Sequence, residues 1–152
     1  ITPRPSSTRW WRQHNLEGAL NAAVASAMLR LANAQGQELV VNLACGSGTL
    51  AVERALASPS QMTIALDHDD AMLAMSAAHR ALIGERGRQL HLLRADMKTL
   101  PFATGSIDRL VSDLPFGQLV GTHSDNRSLY PTVLKEAGRI AARGACLRAV
   151  RD

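Results

Sequence analysis

The stretch Val40-Val41-Asn42-Leu43-Ala44-Cys45-Gly46-Ser47-Gly48-Thr49-Leu50 decides the fold, because a short apolar strand runs there into a glycine turn that opens a helix. Gly46 and Gly48 let the backbone turn tightly and leave no Cβ in the way of a ligand. A dinucleotide fingerprint asks for a third glycine where this chain carries Ala51, an exchange the pattern tolerates. From this turn alone, a nicotinamide or flavin nucleotide and a plain strand-to-helix connection both stay open.

Outward from the turn the same alternation repeats. Short apolar runs bounded by turn residues predict strands over 38–44, 62–67, 90–94, 107–113 and 145–150, and helical stretches fall between them over 49–57, 70–83 and 127–142. Upstream, Leu20, Val24, Ala27, Met28 and Leu31 recur at three and four, which predicts an amphipathic helix from Leu16 to Leu31 that covers one sheet face. Strands that alternate with crossover helices imply right-handed βαβ units, hence a doubly wound α/β domain with a parallel sheet. There is no internal repeat and no low-complexity tract.

The 152 residues suffice for one domain. With 46% hydrophobic and 20% charged residues, disorder and collagen-like or coiled-coil fibres are excluded. The net charge of +4 is a weak bias toward polyanions; it is carried almost wholly by arginine, since Lys98 and Lys135 are the only lysines, and arginine forks suit phosphate and carboxylate. No apolar run approaches the roughly 20 residues of a membrane span, and Ile1 to Arg12 lacks the apolar core of a signal peptide. Cys45 and Cys146 each sit in an apolar segment, which predicts two buried thiols and a reducing, cytoplasmic setting. The start is a Pro, Ser and Thr mixture without a methionine, so 1–15 is expected to be a linker cut from something longer, with Trp10 and Trp11 anchoring it.

The second strand ends at Asp67, beside the glycine turn, where a carboxylate can grip both ribose hydroxyls of an adenosine. The third ends near Asp96, placed for a second contact to the adenosine. Asp69 and Asp70 are better read as caps of the following helix. His14, His68, His79, His91 and His123 show no ligand spacing, so no metal is expected, and of the five only His68 borders the expected pocket.

The fourth strand ends in Ser112-Asp113-Leu114-Pro115-Phe116-Gly117. Asp113 and the Leu114 carbonyl are acceptors for the two hydrogens of an exocyclic amine, and Phe116 offers a ring to stack on a planar base. An amine held in this way has its lone pair aimed at a methyl donor, provided that this loop faces the glycine turn across the switch point of the sheet. The alternative is a strand-terminating turn with Pro115 as its stop signal.

Taken together, the residues resemble the class I S-adenosyl-L-methionine (SAM)-dependent methyltransferases, specifically the RNA guanine-N2 methyltransferases that carry a THUMP domain upstream. The resemblance rests on Cys45-Gly46-Ser47-Gly48-Thr49 with Glu53, on Asp67-His68-Asp69, on Asp96 before Leu100-Pro101-Phe102, and on Asp113-Leu114-Pro115-Phe116-Gly117. It extends to Gly121, to Asn126-Arg127-Ser128-Leu129-Tyr130-Pro131 and to Leu16-Glu17-Gly18-Ala19-Leu20. It implies a Rossmann-like sheet over 16–152 that is cut off after its fifth strand, behind a linker from an upstream RNA-binding domain. It implies SAM as cofactor, with the Cys45, Gly46, Ser47, Gly48 and Thr49 turn at the methionine part, Asp67 with His68 at the ribose, Asp96 and Met97 at the adenine, and Asp113, Leu114, Pro115 and Phe116 at the guanine, Asp113 bordering the cofactor as well. The implied partner is RNA, tRNA ahead of ribosomal RNA. DNA amino groups and protein glutamine share the acceptor, proline and aromatic logic. A non-catalytic SAM-binding module and a nicotinamide oxidoreductase are the competing classes. Asn42 departs from the aspartate frequent in the first motif, and Leu114 from a second proline.

Overall fold

The computed structural model describes residues 8–13, 16–32, 38–58, 62–114 and 123–150. In chain order these form α1 (Ala22–Ala32), β1 (Val40–Leu43), α2 (Thr49–Ala57), β2 (Thr63–Asp67), α3 (Asp70–Leu82), β3 (Leu90–Arg94), β4 (Ile107–Asp113), α4 (His123–Ile140) and β5 (Ala141–Val150), with a short 3-10 turn at Gly84–Gly87. The strands lie in the order β3-β2-β1-β4-β5, and every neighbouring pair is parallel. This is the expected doubly wound α/β fold. The order reverses between β1 and β4, so the crevice beyond their carboxyl ends is the natural ligand position.

Parallel strands are covered on both faces and therefore read as nearly continuous apolar runs. Successive residues of β1 enter different layers. Val41 and Leu43 join Leu66, Leu110, Val133, Ala137 and Ile140 beneath α4, whereas Val40 joins Ala25, Leu29, Leu50 and Val111 beneath α1. A third cluster holds Trp11, Ala51, Val52, Ala65 and Leu90 against α2. Each large side chain so buried contributes about 2 kcal/mol of transfer free energy.

Three boundaries differ from the sequence expectation by four residues or more, and the others by at most two. The first helix starts at Ala22 rather than Leu16, because Gly18 takes φ +76° and the Asn21 Oδ1 accepts the Ala23 N–H at 2.8 Å, an N-cap. The last helix starts at His123 rather than Arg127, so Asn126 lies inside α4. Its first turn is polar and lacks the apolar period that would have revealed it. The fifth strand starts at Ala141 rather than Ala145. Gly144 at φ +81° carries a bulge between the Ile107 and Arg109 pairings, and from sequence that glycine reads as a turn. Asp69 does cap α3, accepting the Ala71 N–H at 2.8 Å, with Asp70 in the first turn.

Candidate active site

The turn between β1 and α2 is built from alternating left-handed residues, Ala44 at φ +47°, Gly46 at +53° and Gly48 at +84°. The Cys45 N–H donates to the Leu66 carbonyl of β2, and the Gly48 N–H closes back on the Cys45 carbonyl, both at 2.9 Å. The two glycines serve different ends. A Cβ at Gly46 would meet nothing within 4 Å, which leaves that side of the turn open, whereas a Cβ at Gly48 would fall on the Ser76 hydroxyl of α3. Thr49 opens α2 with Gly48 as its cap residue.

Asp67 ends β2 with its carboxylate buried. One oxygen accepts the Gly46 N–H at 2.9 Å and the other the Asp69 N–H at 3.1 Å, so this side chain ties the end of β2 to the glycine turn. The His68 Nδ1 lies 3.3 Å from Asp67 on a side chain that is 79% exposed. Asp96 is exposed beyond β3, where Oδ1 accepts the Lys98 N–H at 2.9 Å and Oδ2 lies 3.3 Å from the Lys98 Nζ. Met97 is half-buried against the cluster beneath α4.

Asp113 ends β4, and the pairing of Leu43 with Ser112 sets that end directly beside the glycine turn. The Ser112 hydroxyl donates to the Leu43 carbonyl at 2.8 Å, which locks the two strand ends together. Asp113 and Leu114 are both half-buried. Pro115 and Phe116, expected at the guanine, lie outside the described residues, as do His14 and Gly117 to Thr122. The Asn42 amide nitrogen donates to the Leu43 and Val111 carbonyls at 3.2 and 3.3 Å, so the departure from aspartate serves the β1 to β4 pairing. The Cys45 thiol is pushed up to about 12, first by burial and then by the Asp67 charge, which makes it an inert packing group.

Sequence reasoning missed the flanks of the turn. His79, one of the five histidines without ligand spacing, is fully buried with Nδ1 2.9 Å from the Ser47 carbonyl, so His68 is not the only histidine at this site. Trp11 is fully buried as an anchor, while Trp10 is 65% exposed. Arg9 pairs with the buried Glu53 at 2.6 Å, and Arg12 donates to the Thr49 Oγ1 at 2.6 Å. The available signal was two polar residues, Ser76 and His79, spaced by three on the inward face of an amphipathic helix. Among the described residues no group of three or more His, Cys, Asp or Glu could hold a metal ion, and no helix is long and apolar enough to cross a membrane.

A glycine turn, an acidic second strand end and an acidic fourth strand end around this switch point define the Rossmann-like methyltransferase class. Residues 9–151 match the family model described as RMKL-like, methyltransferase domain (UPF0020), and the chain belongs to that family. It is 33% identical over 138 residues to the tRNA (guanine(6)-N2)-methyltransferase of Thermus thermophilus, covering 90% of this chain and 40% of that protein. It is 30% identical over 131 residues to the human tRNA (guanine(6)-N(2))-methyltransferase THUMP3, covering 80% of this chain and 26% of that protein. The crystal structure of TrmN from Thermus thermophilus superposes with a TM-score of 0.83 at 30% identity, covering 98% of this chain and 43% of that one. The chain thus spans between about a quarter and two fifths of the length of these relatives.

Proposed function

We propose that this chain is the catalytic domain of a SAM-dependent RNA methyltransferase that forms N2-methylguanosine, with tRNA as the first substrate to test and ribosomal RNA as the second. The observation that carries this reading is the pairing of Leu43 with Ser112, which sets the glycine turn and the Asp113-Leu114 strand end side by side. The named activities of the relatives support the substrate class. The residues present fit the donor. The Gly46 side of the turn is open where a Cβ would meet nothing, and the Asp67 carboxylate stands beside it with each oxygen accepting one backbone N–H. Each carboxylate oxygen has a second lone pair for a ribose hydroxyl.

When bound, SAM supplies an electrophilic methyl group. The chain's own residues have the positioning work. Asp67 with His68 orients the ribose, Asp96 and Met97 the adenine, and the 45–49 turn the methionine part. Asp113 and the Leu114 carbonyl accept from the guanine amine, Pro115 shapes the loop, and Phe116 stacks on the base. Holding the amine in one orientation replaces the entropy cost of a bimolecular encounter, and Asp113 takes the proton that the amine loses. A cytoplasmic setting, a linker over 1–15 and an upstream RNA-docking domain belong to the same proposal.

The test is calorimetric titration with S-adenosylhomocysteine, followed by methyl transfer to tRNA by the full-length protein. Asp67→Ala is expected to weaken ligand binding about tenfold or more, the scale of a lost hydrogen bond to a charged group. Asp113→Ala is expected to keep ligand binding and to lower turnover about 100-fold or more. A folded wild type that binds neither S-adenosylhomocysteine nor SAM would overturn the reading. Turnover on ribosomal RNA but not on tRNA would replace the substrate and keep the chemistry.

A further inference from the structure

The glycine turn is held on both flanks by side chains outside its own motif. From α3, the His79 Nδ1 meets the Ser47 carbonyl at 2.9 Å, and a nitrogen facing a carbonyl carries the proton and donates it. The same peptide unit is pinned at its other end, where the Gly48 N–H donates to the Cys45 carbonyl. From the opposite flank, Trp11 meets the His79 ring edge-on, with centroids 5.3 Å apart and planes at 66°. Arg12 lies 5.5 Å from the Trp11 ring and reaches the Thr49 Oγ1 at 2.6 Å and the Leu20 carbonyl at 2.8 Å. The contacts run from Ser47 through His79, Trp11 and Arg12 to Thr49, so they leave the turn and return to it two residues later.

We propose that His79 is a positioning residue for the methyl donor, acting through the Ser47 carbonyl, and that residues 9–12 form a strap that belongs to the donor site. This rests on the donor reading above. The physical need is visible in the backbone, because a turn with positive φ at Ala44, Gly46 and Gly48 holds one shape only if its surroundings over-determine it. The buried donor at Ser47 supplies one such constraint, and the strap closes the far side. Because the restrained residues sit at the end of the turn that leads into α2, the effect falls on the methionine part of the ligand and spares the adenosine part held by Asp67.

The experiment compares His79→Leu, which keeps bulk without a donor, with His79→Asn, whose amide nitrogen stands where Nδ1 stood, in the full-length protein. Arg12→Met cuts the circuit at a partly buried position, which folding tolerates more readily than a change at the fully buried His79. Titrations with S-adenosylhomocysteine and with adenosine separate the two parts of the site, and thermal unfolding reports stability. The expected result is a loss of about tenfold in S-adenosylhomocysteine affinity for His79→Leu, a smaller loss for Arg12→Met, little change for adenosine in either, and recovery in His79→Asn. Equal losses for both ligands, wild-type affinity in His79→Leu, or a His79→Asn variant that fails alongside it would overturn the proposal. Amide hydrogen exchange at 46–49 without any ligand is an independent arm, expected to accelerate in His79→Leu and to return in His79→Asn. Unchanged exchange overturns the clamp itself, whereas a wild type that binds neither ligand overturns the donor reading.

Discussion

Gly48 meets two separate demands, a backbone at φ +84° and a close approach of α3. An alanine there would strain the backbone and drive its Cβ into Ser76, so Gly48→Ala is expected to cost about 1–3 kcal/mol in denaturant unfolding. Adding Ser76→Gly removes the side-chain collision but leaves the φ penalty, so the double variant should recover part of the loss. A full recovery would show that φ carries no cost. At this scale the sequence was legible where the chemistry demands one residue type. Gly46, Gly48 and Asp67 stand where turn geometry and a strand-end carboxylate require them. His79 was not legible, because a histidine on an apolar helix face carries no mark of the carbonyl it will meet from another segment. Asn42 was legible as a departure, and only the Val111 carbonyl of a strand distant in sequence explains it.

Among the elements, α4 carries the clearest electrostatic device. Glu136 accepts from Arg139 and from the Leu100 N–H, and these hold its carboxyl down at about 2, below the ordinary 4.5. The unfolded chain takes up that proton near 4.5 and the folded chain only near 2. Stability from this group is therefore complete above 4.5 and drains away as the pH falls through about 2. Glu136→Gln is expected to flatten the dependence of the unfolding midpoint across that window, and an unchanged slope would refute the linkage. The strands and α2 and α3 followed from apolar runs and caps, whose signals are local. The early start of α4 and the long β5 did not, since the polar first turn of one and the bulge at Gly144 of the other depend on the sheet they join.

The whole molecule divides its tasks between the two ends of the sheet. The glycine turn, Asp67 and Asp113 stand at the carboxyl ends, whereas at the amino ends Arg109 meets Glu38 at 2.7 Å and donates to the Asp108 and Gly144 carbonyls. Arg109→Met is expected to lower stability by about 1–3 kcal/mol and to leave S-adenosylhomocysteine affinity within about twofold, read by denaturation and titration on one preparation. A large affinity loss would show that the two ends are coupled. This division was legible as soon as the strands alternated with helices, because parallel connections put all carboxyl ends on one side.

At the amino end α4 passes into β5 with no residue between Ile140 and Ala141. Ala141 already pairs with Ile107, while Arg139 donates to the Leu100 and Phe102 carbonyls and accepts from the Gly105 N–H. In the language of chain engineering this corner has no slack. A linker, a tag or a new terminus placed there would pull a buried isoleucine, a ladder residue and a three-way arginine clasp out of place together. At the opposite end of the sheet residues 114–122 separate β4 from α4, so an insertion there would fall on the side where the chain would meet its substrate and would spare this corner.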